Sequence, residues 1–156
     1  MTTQLENEVD INGLDEVSHR CTCAHVRRAS RLLTQLYDDA LRAGGLTSGQ
    51  FVLLTAINSR GSETMGNIAN VVAQEQSAFS RNLKLLETKG LVRTTTGSDR
   101  RTRWISLTTL GQHRLEEAYP LWRDLQDRLD AAYGPDRMHE LIRSLEALQE
   151  VEVNTL

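Results

Sequence analysis

One stretch of this chain limits the possible folds more than any other. Between residues 64 and 111 the apolar pattern changes period twice. Met65, Ile68, Ala69 and Val72 recur at helical spacing behind Thr64, whose hydroxyl can cap a short helix. A second helix, from about 76 to 89, places Phe79, Leu83 and Leu86 on one face. Gly90 stands where a left-handed residue closes such a helix. Residues 91–96 and 101–107 are then rich in β-branched side chains, and Gly97-Ser98-Asp99-Arg100 lies between them. This pattern predicts a hairpin. Thr108 can cap a long helix that runs to about 133. Helix, helix, hairpin is the order of a winged helix-turn-helix.

The flanks read as helices. From about 18 to 43, Val26, Ala29, Leu32, Leu33, Leu36, Ala40 and Leu41 keep helical spacing until Gly44-Gly45 ends the run. Thr47 or Ser48 can cap the next helix, which carries Phe51, Val52, Leu53, Leu54 and Ile57. Arg60-Gly61-Ser62 reads as a loop. Pro120 should kink the long helix, and Gly134-Pro135 should end it. A last helix carries Met138, Leu141, Ile142, Leu145 and Leu148. The fold class is therefore mainly α with a small β-hairpin wing. The chain divides into a flexible acidic stretch (1–17), a long helix (18–45), the winged lobe (46–111) and C-terminal helices (112–156). Its 156 residues suit one compact domain.

No apolar run approaches the roughly 18–20 residues that span a bilayer, and the N-terminus lacks the pattern of a signal peptide. A cytoplasmic protein with reduced Cys21 and Cys23 is expected. No membrane partner and no cofactor is called for.

The net charge of −3 argues at first against a nucleic-acid partner. Its distribution argues the other way. Residues 1–18 carry five carboxylates and no cation, and residues 112–156 carry ten carboxylates against five arginines. Residues 74–104 carry seven cations against three carboxylates, a balance of +4. A basic centre between acidic ends suits a local phosphate-binding face.

Helical spacing puts Gln76, Ser77, Ser80, Arg81 and Lys84 opposite the apolar face of the second helix. Gln pairs with adenine edges, Arg with guanine, and Ser with base or phosphate. An ordinary amphipathic helix with a solvated face would show the same pattern. The hairpin separates the two readings, because Arg100, Arg101 and Arg103 gather at its tip and outgoing strand. Folding gives no reason to cluster like charges there, whereas a narrow minor groove attracts arginine. Asp99 can orient one guanidinium, although Asp also favours turns for its own reasons.

Three runs resemble the MarR family of bacterial regulators. They are Leu46-Thr47-Ser48-Gly49-Gln50-Phe51, the segment from Leu83 to Val92, and Asp99-Arg100-Arg101 leading to Leu107-Thr108-Thr109-Leu110-Gly111. The resemblance covers about residues 20–135. It implies a homodimer whose N- and C-terminal helices interlock, making 18–45 and 112–156 dimerisation helices. It also implies two recognition helices on a near-palindromic double-stranded DNA operator, repression more often than activation, no enzymatic activity, and Arg101 as the wing residue reaching the minor groove. The segment Val72-Ala73-Gln74-Glu75-Gln76 departs from the family by lacking a Gly-x-Asp-like entry. Glu75 can cap the helix instead.

Control of such a unit points to the first helix. Cys21 and Cys23 are placed at its start, where a helix N-terminus and nearby arginines favour thiolate. Cys-x-Cys is too tight for most structural zinc sites, so no metal is assigned. The stretch from Cys23 through Tyr37 to Thr47 resembles the peroxide-sensing OhrR branch of the family. That likeness makes Cys23 the peroxidatic thiol and Tyr37 one of its hydrogen-bonding tyrosines, with Arg27 and Ser48 at two other tyrosine positions. Cys23 packed in a dimer interface is the plainer alternative. Other family members bind small aromatic acids in a cleft, for which His25, Arg28, Tyr37 and Trp122 are candidate liners here. Two rivals from other classes are a thiol enzyme or metal-thiolate protein using Cys21 and Cys23, and an interaction module that never meets DNA.

Overall fold

The computed structural model describes residues 14–72, 76–97 and 102–151. The chain divides into two compact units, Met1–Leu36 and Tyr37–Leu156.

The first unit holds α1 (Leu14–Arg20) and most of α2 (Thr22–Leu41). The long helix expected to begin near 18 is thus preceded by two turns. The amide of Cys21 donates to Val17 O at 3.0 Å, and that of His25 to Cys21 O at 3.2 Å. The i→i−4 bonding therefore passes through the junction. The Cys21 amide at the junction is paired, and Cys23 is the second residue of α2, in the first turn of the long helix.

The second unit begins in the last turn of α2. A 3₁₀ turn, Arg42–Gly44, leads to α3 (Ser48–Arg60). Thr47 and Gln50 form a reciprocal capping box on α3. Then follow β1 (Ser62–Thr64), α4 (Met65–Val71), α5 (Gln76–Thr88), β2 (Val92–Thr96), β3 (Arg103–Leu107), α6 (Thr109–Tyr133) and α7 (Pro135–Gln149). Thr64 and Thr108 cap α4 and α6, each accepting from an amide three residues on. Helix α6 runs through Pro120 without ending.

The core belongs to the lobe. Leu53, Leu54 and Ile57 of α3 meet Ile68 of α4, Phe79, Leu83 and Leu86 of α5, and Val92, Ile105 and Leu107 of the sheet. Ala118 of α6 closes it. On α3 the side chains of Val52 and Thr55 stay exposed, so only one face of that helix is spent on the core.

The sheet has three strands in the order β1-β3-β2, all antiparallel. The segment expected to be a loop at Arg60-Gly61-Ser62 supplies the first residue of β1, which pairs Ser62 with Ser106 and Thr64 with Trp104. Ser-Glu-Thr has no apolar alternation, so the strand owes its existence to a neighbour distant in sequence.

Candidate nucleic-acid interface

Helix α5 is two-faced, as its spacing requires. Phe79, Leu83 and Leu86 are buried, with Leu86 fully so. Ser77, Ser80, Arg81 and Lys84 are exposed on the other side. Gln76 is the first residue of α5, and its side chain lies outside the described residues. Asp99, Arg100 and Arg101, at the hairpin tip, also lie outside them.

The far end of α5 is fixed by an unusual joint. Gly90 has φ +70°, which turns the chain out of the helix at little steric cost. The Thr108 hydroxyl donates to Gly90 O at 2.6 Å, and its amide donates to Leu91 O at 3.1 Å. The same hydroxyl accepts from Gly111 N at 3.0 Å. A Cβ on Gly111 would overlap the Leu91 carbonyl. Thr108 and Gly111 thus lock the start of α6 onto the end of α5. This gives a physical reason for the Leu-Thr-x-x-Gly run: a hydroxyl and a missing Cβ let two helix ends meet.

The cations of the basic centre are all exposed where described, but they differ in their hydrogen bonds. Lys89 donates to Gly45 O at 3.3 Å and reaches buried Gln50 Oε1 at 3.5 Å. Arg93 Nε donates to Ser106 Oγ at 3.0 Å across the hairpin. Arg103 donates to Thr94 Oγ1 at 3.2 Å. Arg81 and Lys84 have no ion pair among the described residues, and their charges face solvent from the exposed side of α5. Lys89 works as a tie between α5 and the cap of α3.

The remaining candidates scatter. Cys21 is half-buried and Cys23 exposed, both as free thiols. His25 Nε2 lies 3.2 Å from His19 O, and Arg28 is exposed. The Tyr37 hydroxyl donates to Gln126 Oε1 at 2.7 Å. Burial first, then the Asp130 carboxylate, raises its pKa above the ordinary 10.0. The phenol hydroxyl is thus engaged by Gln126.

A cavity of about 470 Å³ opens between α3 and α6. Its walls are Phe51, Thr55, Asn58, Leu115, Glu116, Tyr119 and Trp122. Trp122 stacks on Phe51 at 6.2 Å and on Tyr119 at 5.8 Å between ring centroids. Of the expected liners, Trp122 is at this cavity; His25, Arg28 and Tyr37 are not among its walls. Sequence reasoning missed Phe51 and Tyr119. Phe51 reads as a core residue, and Tyr119 reveals its role only by stacking beside Trp122.

No match to a curated protein sequence is found. The MarR family model matches residues 44–102. Among solved structures, the Mycobacterium tuberculosis transcriptional regulator MosR in complex with DNA is 37% identical with a TM-score of 0.73. That match covers 83% of this chain and 97% of the other. The transcriptional repressor CouR, bound to a 23-mer DNA duplex, is 25% identical with a TM-score of 0.77, covering 92% and 99%. The Escherichia coli MarR mutant C80S, complexed with operator DNA, shares the fold at 22% identity and a TM-score of 0.76, covering 85% and 96%. With its two-faced α5, its three-stranded sheet and its likeness to MosR over most of both chains, this chain belongs to the MarR family of winged-helix, DNA-binding transcriptional regulators.

Proposed function

We propose that the protein is a homodimeric, sequence-specific regulator, acting as a repressor on a near-palindromic operator. The observation that carries this reading is α5: a helix sealed on one face whose other face presents Ser77, Ser80, Arg81 and Lys84 to solvent. That face fits the major groove, with Gln76 at its leading end, Arg81 directed at guanine and the serines at bases or phosphates. Arg100, Arg101 and Arg103 serve the minor groove or phosphates, with Asp99 orienting one of them. MosR and CouR, both solved with DNA, support the reading.

The second copy is argued from α7. Leu141, Ile142, Leu145 and Leu148 share one helical face, and all are exposed in the single chain. A contiguous apolar face of this kind calls for a partner, and a two-fold copy places two recognition helices one turn of DNA apart.

Selection of duplexes from a randomised library tests both points. The expected product is an inverted repeat with half-sites spaced by about one helical turn, roughly 34–36 Å. An unenriched library overturns the reading. Arg101→Ala should weaken binding to the selected duplex while leaving the protein folded.

Release has two routes in this proposal. The cavity at Trp122 takes a planar aromatic effector. Among the described wall residues Glu116 is the charged one, so a neutral or cationic ring suits the cavity better than the aromatic acids bound by other family members. Separately, exposed Cys23, with Cys21 two residues away, offers a thiol to peroxide. Peroxide should convert Cys23 to a sulfenic acid or mixed disulfide and release DNA. Unchanged peroxide-triggered release from Cys23→Ser excludes that route.

A further inference from the structure

A polar chain joins the recognition helix to the wing. Thr94 Oγ1 donates to Glu87 Oε1 at 2.5 Å, and Arg103 Nη2 donates to Thr94 Oγ1 at 3.2 Å. Its direction is fixed by chemistry. A guanidinium only donates, a carboxylate only accepts, and the hydroxyl between them does one of each. The register explains why these groups meet. Thr94 pairs with Ile105 and Thr96 with Arg103, so Thr94 and Arg103 share the sheet face that buries Ile105. That face runs from the apolar core outward into the polar chain.

Glu87 otherwise stands in an unfavourable place. It is the penultimate residue of α5, where a carboxylate opposes the helix dipole, and it lies on the element that meets DNA. Only one of Arg103's five N–H donors is used by Thr94. Among the described residues the rest of the fork has no other partner, so it can meet a phosphate once its plane is fixed.

We propose that Glu87 and Thr94 are positioning residues that hold the Arg103 guanidinium for a DNA phosphate and tie the wing's aim to the recognition helix. The inference rests on the DNA-binding function proposed above and adds the means by which the wing is aimed.

The test measures binding of a short random-sequence duplex by fluorescence anisotropy across a salt series, since a phosphate contact needs no operator. Arg103→Ala should weaken binding and reduce the salt slope by about one for each lobe bound to the duplex. Thr94→Val, isosteric and suited to a strand, removes both bonds of the chain and should weaken binding by about three- to tenfold, as expected when one charge-assisted phosphate contact is loosened. Thr94→Ser should restore wild-type affinity. The double variant Thr94→Val/Arg103→Ala should bind no worse than Arg103→Ala alone. Glu87→Ala gives the sharpest contrast. Removing a carboxylate near DNA should by charge alone strengthen binding, whereas loss of positioning weakens it.

Stronger binding by Glu87→Ala, wild-type binding by Thr94→Val, or multiplying effects in the double variant would overturn the proposal while leaving the DNA-binding function standing. A purely structural role would lower Tm and leave the salt slope unchanged, which also overturns it. Wild-type protein that ignores the duplex at low salt removes both.

Discussion

Leu83 and Leu86 of the recognition helix are shut inside the lobe, whereas Leu141 and Leu145 of α7 stand open along the whole helix face. Both helices are amphipathic and of similar length. The difference lies in what surrounds them. Helix α5 is enclosed by α3, the sheet and the joint at Gly90, so its polar face is left for another molecule. Helix α7 has no buried residue, and its main packing is along α6. One helix has completed its fold and offers chemistry; the other offers an unfinished core. Exposure alone does not tell these apart. The kind of residue exposed does: hydroxyls and cations on α5, leucine and isoleucine on α7.

Breaking α7 should separate the two behaviours most. Leu141→Lys with Leu145→Lys should leave the lobe folded, convert the dimer to monomer in sedimentation equilibrium, and cut operator affinity by about 10²–10⁴-fold through lost bivalency. A dimer that survives these changes would place the interface elsewhere. Next in size is Gly111→Ala. Its methyl has no space against Leu91 O, so the α5–α6 joint must open, costing about 3 kcal/mol or more in chemical denaturation. Near-wild-type stability would mean the joint is looser than its hydrogen bonds suggest. Arg81→Ala should be milder, with unchanged stability and about 1–3 kcal/mol lost in specific binding. Unchanged binding would remove Arg81 from the interface.

The smallest effect concerns pH. Hydrogen bonds from the Thr64 amide first, then the Asn67 side chain, lower the pKa of Glu63 below the ordinary 4.5. Its stabilising effect is therefore present above 4.5 and lost as pH falls through the lower folded value. Glu63→Gln should flatten that part of the Tm profile slightly, and an unchanged profile would show that the carboxylate does not help to hold α4.

Much of the lobe is legible in the chain. Thr47, Thr64 and Thr108 announce three helix starts because a cap is a local interaction, and Phe79, Leu83 and Leu86 announce a buried face because spacing is local too. What stays hidden depends on partners far off in sequence. Strand β1 exists because β3 lies beside it. The tie from Lys89 to the Gly45 carbonyl depends on the turn that precedes α3. Arg103 reads as a bare cation until Thr94 and Glu87 are seen beneath it. Cavity walls behave the same way: Trp122 is visible as an aromatic, but its function as a wall needs Phe51 from another helix.

The central claim is that the exposed face of α5 and the wing cations bind double-stranded DNA. Affinity for a selected duplex, measured across a salt series, tests it most directly. Six to ten phosphate contacts shared by two lobes predict a linear fall of log K with log salt, amounting to about 10³–10⁵-fold between roughly 50 and 200 mM. An affinity indifferent to salt, or equal for selected and scrambled duplexes, would contradict it.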